Sequence, residues 1–327
     1  MKNHICISII TLCVLLMSSS KVYGYKYGLG SCLDQDREQS IWPSIKKEEL
    51  DAFIFLGDNV YGDLPSGELS KMQRAYQIQK TRLPQWLMNE KEILAIWDDH
   101  DFGLNDGGGD YPYKKEAEKM FLNFWNIPQS DPRRNREGIY FKQIKEIDDV
   151  KVEIIGLDTR YFRSKLKGKK NAYERNEDSS ATILGQDQWA WLESSILNSN
   201  ADIIVILSSI QILATNHPYE KWDNFPLERK RLLELIASAS RKITMVAITG
   251  DRHKSGIYQN ENFIEITASS LNKAASKGKE TDPLLIGSIY PIKNYGILNI
   301  EPSKNIITVS IHDKNGKKLN SKTINIH

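Results

Sequence analysis

The sequence predicts an α/β protein built on a parallel sheet, and three observations carry that prediction. Short apolar runs alternate with helix-length amphipathic segments through most of the 327 residues, the rhythm of strands joined by helical crossovers. The central runs, at 53–56, 93–97 and 203–207, are continuously apolar, as strands buried on both faces are. Each run then stops at turn-forming or ionisable residues, and in open α/β sheets ligands bind at the carboxyl ends of the strands.

Residues 25–31 form the first predicted strand and close on Cys32; a helix over 39–50 returns the chain to the strand at 53. That strand leaves through Gly57 into Asp58-Asn59-Val60-Tyr61-Gly62-Asp63, an oxygen-rich turn suited to hard cations. Taken alone it reads better as an ordinary exit made of good turn residues, and the rest of the chain has to decide. Residues 66–89 are mostly helical, with Pro84 breaking or restarting the helix. The strand at 91–97 ends in Asp98-Asp99-His100-Asp101, four ionisable groups in a row that need cations or water. The glycine-rich stretch 105–110 lacks the lysine and preceding strand of a P-loop and reads as a mobile loop.

A helix at 113–125 leads through a loop to strands at 138–143 and 151–157, the second closing on Asp158-Thr159-Arg160. The lysine-rich stretch 165–180 is an exposed excursion. A helix at 184–198 and the strand at 202–207 follow, ending in Ser208 to Gln211. After a segment bearing His217, Glu220, Trp222 and Asp223 comes a helix at 226–238, with Pro226 in its first turn. The strand at 243–249 stops at Gly250-Asp251-Arg252-His253, and 262–267 pairs on beyond it. Short alternating strands at 296–300, 305–312 and 318–326 finish the chain. No repeat or linker divides 25–327, so one domain is expected there.

The amino terminus differs in kind. Lys2 and His4, an apolar run over 5–17, and small residues up to Gly24 make a secretory signal at 1–24, cut after Gly24. The expectation is a secreted or periplasmic protein with no later membrane span. Removing Lys2 and Lys21 from the 44 basic residues leaves 42, equal to the acidic count. Bulk charge therefore gives no case for nucleic acid or anionic membranes, and phosphate recognition must be local. Cys6 and Cys13 leave with the signal, so Cys32 is the single thiol of the mature chain. It is either a buried small hydrophobe or a thiolate ligand.

Together the strand exits deliver Cys32, Asp58 with Tyr61, Asp98 to Asp101, Asp158 with Arg160, Ser208 to Gln211, and Asp251 with His253. Thiol, phenol and imidazole beside several carboxylates suit more than one metal, with a softer and a harder corner. In this order Gly57-Asp58-Asn59-Val60-Tyr61-Gly62-Asp63, Trp97-Asp98-Asp99-His100-Asp101, Leu157-Asp158-Thr159-Arg160 and Gly250-Asp251-Arg252-His253 resemble the PhoD-like alkaline phosphatases of the calcineurin-like metallophosphoesterase superfamily. Gly30-Ser31-Cys32 resembles that family's cysteine-bearing first strand. The resemblance covers about 25–267 and implies a two-sheet sandwich flanked by helices.

The resemblance further implies that Asp58 bridges two metals. Cys32, Tyr61 and His253 would complete an Fe3+ site, and Asp99 and Asp251 would serve a Ca2+ site. Asn59, His100 and Arg160 would face the phosphate of a phosphate ester substrate. The expected chemistry is in-line attack of metal-bound hydroxide on phosphorus, with two cations neutralising charge. His100 or a metal-bound water would protonate the leaving alkoxide, and Arg160 would hold a phosphoryl oxygen bidentately. A phosphodiesterase, phospholipase-like in its substrates, is the nearest alternative; a non-catalytic secreted binding protein on the same scaffold is the remote one. His217 is a weaker candidate, and Asp63 is either a supporting partner or a turn residue.

Overall fold

The computed structural model describes residues 24–275 and 280–327. The expected signal segment, apart from Gly24, lies outside the described residues. β1 (Tyr25–Gly30), β2 (Ala52–Leu56) and β3 (Glu92–Ile96) pair side by side in parallel. β2 is buried along its whole length, as its unbroken apolar run requires. Phe53 stacks edge-on against Trp42 of α1 (Trp42–Lys46), and Phe55 packs on Trp125 just after α5 (Lys114–Phe124). One face of this sheet is thus roofed by aromatic side chains from helices. Between β2 and β3 run α2 (Ser70–Arg82) and α3 (Gln85–Glu90), which Pro84 separates. α4 (Asp99–Phe102) is a single turn leaving β3.

The second sheet begins with the hairpin β4 (Phe141–Ile147) and β5 (Val150–Gly156). After a small hairpin, β6 (Lys167–Lys169) and β7 (Ala172–Glu174), and α6 (Gly185–Leu197), β8 (Ile203–Ser208) lies parallel to β5. α7 (Pro226–Ala239) returns the chain to β9 (Thr244–Thr249), parallel to β8. β10 (Ser255–Asn260), β11 (Phe263–Thr267) and β12 (Leu285–Tyr290) complete it in the order β12-β10-β11-β9-β8-β5-β4. β13 (Asn294–Glu301), β14 (Ile306–Asp313) and β15 (Lys318–Asn325) extend the first sheet antiparallel beside β1.

Period-two alternation sorts the second sheet's side chains between two cores. Ile203, Val205 and Leu207 join a core shared with Ile54, Leu56 and Leu29 of the first sheet. Ile204 and Ile206 point the other way, onto Trp189 and Leu192 of α6 and Leu232 and Ile236 of α7. Full burial of each such aliphatic side chain contributes about 1.5–3 kcal/mol. The fold is therefore α/β with two mixed sheets flanked by helices, as the resemblance implied.

The strand exits reach a common place from two sheets, not along the edge of one. Cys32, Asp58 and Asp99 follow strands of the first, and Asp158, Ser208 and Asp251 belong to strand ends of the second. Close approach at the seam demands glycine: a Cβ on Gly250 would lie 2.5 Å from the Leu56 carbonyl oxygen and 2.9 Å from Ser31 Oγ. The helix expected over 39–50 shortens to α1, and β10 and β12, which no continuous apolar run announces, were not expected. The 105–110 loop is not loose. Arg163 donates to the carbonyls of Asp106 and Gly107, and Gly109 N donates to the Arg163 carbonyl. Among the described residues no helix is long and apolar enough to cross a membrane.

Candidate active site

Asp58 sits at the centre of the gathered side chains and is fully buried. Its Oδ2 accepts from Tyr61 Oη at 2.8 Å, lies 3.5 Å from Cys32 Sγ and 3.9 Å from His253 Nε2. His253 Nδ1 donates to the Lys273 carbonyl at 2.5 Å, which leaves Nε2 as the ring's free lone pair. Among the described residues three ligand groups form, each with donor atoms within 4.8 Å of one another: Cys32, Asp58 and His253; Asp58, Asp99 and His100; Asp98, Asp99 and Asp251. Asp58 belongs to the first two groups and Asp99 to the last two, so they form a chain of adjoining sites. Four of these residues have left-handed backbone: Cys32 (φ 55°), Asp58 (φ 52°), Asp251 (φ 62°) and His253 (φ 52°). For non-glycine residues that conformation is held by the surrounding structure and gathers at functional sites.

The donor set fits metal ions. Burial pushes the Cys32 thiol, the Asp58 carboxyl and the Tyr61 phenol upward, and moves Asp251 to about 6. Burial raises Asp99 as well, yet the His100 and Arg160 charges outweigh it and hold Asp99 below the ordinary range. Asp99 Oδ1 and Asp98 Oδ2 are buried with no hydrogen-bond partner among the described residues. A cluster of acidic donors with orphaned oxygens is costly to bury unless cations neutralise it. Alongside lies a cavity of about 220 Å³, lined by Asp99, His100, Asp251, Arg252, His253 and Tyr173 among others.

All six residues expected to bind metal meet here: Cys32, Asp58, Tyr61, Asp99, Asp251 and His253. His100 faces the cavity, and its Nδ1 pairs with Asp63 Oδ1 at 2.6 Å. Asp63 is therefore the partner that orients His100, which the sequence left open. Two expectations need correction. Arg160 does not face a phosphate: it is fully buried between Asp98 (2.5 Å) and Glu220 (2.5 Å), its charge already matched. Asn59 is turned inward as well, donating to the Ile96 carbonyl at 2.9 Å and to Asp101 Oδ2 at 2.5 Å.

Two more strand-exit acids are clamps. Asp101 accepts from the backbone N of Asp58, Asn59 and Asp98. Asp158 accepts from Trp97 Nε1 and the backbone N of Ile139, Arg160 and Tyr161. His217 stays outside the cavity; burial and then Arg252 push its pKa down, leaving it a neutral acceptor for Tyr219 N at 3.3 Å. Sequence reasoning missed Lys273, whose Nζ lies 3.2 Å from the Tyr61 ring centroid. It is one of several lysines in a loop and stands well past the end of the strand at 262–267, so no strand exit pointed to it.

Two mixed sheets whose strand ends bring carboxylates, a thiol, a phenol and imidazoles together make the site of a metal-dependent phosphoric ester hydrolase. The sequence model described as PhoD-like phosphatase matches residues 84–288, and the chain belongs to that family. The matched span holds Asp99, His100, Asp251 and His253 but begins after Cys32, Asp58 and Tyr61. No curated protein matches the chain in sequence. Its fold is similar to that of a PhoD structure at 16% identity and TM-score 0.72, covering 93% of this chain and 70% of the other. It is also similar to GAP50, the anchor in the inner membrane complex of Plasmodium, at 12% identity and TM-score 0.62, covering 93% and 90%. A third relative in fold is the purple acid phosphatase PPD1 from yellow lupin seeds, at 9% identity and TM-score 0.61, covering 93% of this chain and 54% of that one.

Proposed function

We propose that the chain hydrolyses phosphate monoesters at a two-metal centre held by Cys32, Asp58, Tyr61 and His253 on one side and by Asp99 and Asp251 on the other. The observation that carries this reading is the sharing of Asp58 and Asp99 between adjoining ligand groups, the arrangement a bridged pair needs. The resemblance to the PhoD-like phosphatases implies Fe3+ on the thiolate, phenolate and imidazole side, and the carboxylate side suits a hard cation such as Ca2+. When bound, such a pair lowers the pKa of a coordinated water toward about 7 and neutralises charge on both the attacking and the leaving oxygen.

The chain's own residues set the geometry. Asp101 holds the backbone of Asp58 and so aims its carboxylate. The Lys273 carbonyl fixes the His253 tautomer and presents Nε2. Asp63 orients the His100 ring at the cavity wall, where it donates a proton to the leaving alkoxide. The chain acts as one domain over 25–327 and is exported by the general secretory route, a reading supported by the apolar run at 5–17. Sequencing the mature amino terminus tests the export, with Tyr25 expected first.

The catalytic reading is tested with purified Asp58→Ala and Cys32→Ala proteins. Both should lose bound metal by elemental analysis and lose phosphatase activity with it. Full metal content and full activity in both variants would sink the assignment. Rates on monoester and diester model substrates separate the phosphatase from a phosphodiesterase on the same centre.

A further inference from the structure

A second cavity, of about 570 Å³, opens beside the candidate active site. The two cavities share Asn105, Asp106, Lys170 and Tyr173 as a common wall. That wall is tied to the metal-binding side chains, because Asp106 N donates to Asp99 Oδ2 at 2.8 Å. It is also tied to the β6–β7 hairpin, because Tyr173 Oη donates to Asp106 Oδ2 at 2.8 Å and Tyr173 N donates to the Pro218 carbonyl at 2.9 Å. A phosphoryl group fills the space of only a few waters, each about 30 Å³, and is served by the smaller cavity. The larger one has room for what the phosphoryl group is attached to.

We propose that this larger cavity binds the leaving group of the substrate, and that it takes an uncharged alcohol with apolar bulk. The proposal rests on the phosphoester reading above. Three carboxylates, Asp63, Asp106 and Asp110, face three cations, Arg163, Lys165 and Lys170, in its lining. Each has a partner within the protein. Asp63 holds His100, Lys165 pairs with Asp110 at 3.1 Å, Arg163 pairs with Glu220 at 2.9 Å, Lys170 donates to Asn105 at 3.0 Å, and Asp106 takes Tyr173. A charged leaving group thus meets a lining whose three carboxylates and three cations balance and whose charged groups already have partners, Asn105 and Tyr173 being the neutral ones. The rest of the lining includes Leu64, Pro65, Leu104 and Leu166, a surface that rewards apolar contact. The lysine-rich excursion that carries Leu166, Lys170 and Tyr173 thereby becomes the specificity-determining element of the site.

The test compares kcat/KM on phenyl phosphate, 1-naphthyl phosphate and 4-carboxyphenyl phosphate for the full chain and for Leu166→Trp, with Leu166→Ala as the variant that leaves the cavity open. The unaltered protein should favour the naphthyl over the carboxyphenyl ester by about tenfold, the scale on which an apolar pocket discriminates. Leu166→Trp should erase that preference, and Leu166→Ala should keep it. A preference for the carboxyphenyl ester, or an equal fall on all three esters in both variants, would overturn the proposal. Should the unaltered protein hydrolyse none of the three, the catalytic reading fails, and fluorescence titration with 1-naphthol then judges the cavity by itself. Binding weakened about tenfold by Leu166→Trp upholds it, and absent or unchanged binding overturns it.

Discussion

Replacing Arg160 by methionine separates a phosphate-binding arginine from an internal counter-ion. The guanidinium is fully buried, as are Asp98 and, nearly so, Glu220 on either side. Removing it leaves Glu220 with Arg163 at 2.9 Å, while Asp98 keeps only neutral donors such as Ser209 Oγ. Stripping one partner from a buried ion pair costs about 3–5 kcal/mol because the other charge stays behind. At about 2 °C per kcal/mol for a protein of this size, the melting temperature should fall by about 6–10 °C. The assay is calorimetry of the Arg160→Met protein beside steady-state kinetics well below its transition. KM for a phosphomonoester should stay near that of the unaltered chain. Arg160→Met/Asp98→Asn, which also removes the stranded charge, should regain a large part of the lost stability. An unchanged melting temperature with a KM raised tenfold or more would refute the reasoning and return Arg160 to the phosphate.

Further expectations concern metal, proton and orientation. Stripping metal with a chelator should lower the melting temperature, since a ligand held at one hundred times its Kd adds about 2.7 kcal/mol to the folded state; a melt unmoved by metal would contradict a structural grip on the ions. Burial, then the neighbouring Asp158, raises Glu118 to about 8 from its ordinary 4.5. A carboxyl raised on folding favours the folded state when protonated, so stability should decline as pH rises from about 4.5 through about 8. Glu118→Gln should flatten that decline in melts taken at pH 5 and pH 9. Asp63→Asn should lower kcat about tenfold with little change in KM, because His100 loses its orienting carboxylate; equal losses in metal content would instead mark Asp63 as part of the metal-binding framework.

The fold was legible wherever burial on both faces writes a continuous apolar run, as in β2, β3, β8 and β9. β10 and β12 escaped because their sequences mix polar and apolar residues, and sheet pairing alone makes them strands. At the site, the sequence showed which strand ends carry ionisable groups but not which way each group turns. Asp58 and Asp158 both follow an apolar strand, yet one lies among ligand atoms and the other is consumed by three backbone N–H groups and an indole. That difference is decided by chain segments far away, such as Ile139 and Trp97. Arg160 misled for the same reason, since Glu220, which closes its other side, is 60 residues distant. Lys273 and its carbonyl come from a loop that no local pattern singles out.

The left-handed backbone at Cys32, Asp58, Asp251 and His253 also narrows the alphabet at those positions. Aspartate, asparagine and histidine enter that region more readily than other residues bearing a Cβ, and β-branched residues are close to excluded from it. The residues the turns accept are therefore largely the residues that ligate metals. Selection for a foldable turn and selection for a metal site write overlapping letters there. A descendant that stopped binding metal could keep an aspartate or histidine at these turns for the sake of its backbone alone. Among chains of this architecture, orphaned buried oxygens and shared ligand groups are for that reason a stricter mark of catalysis than the motif spelling.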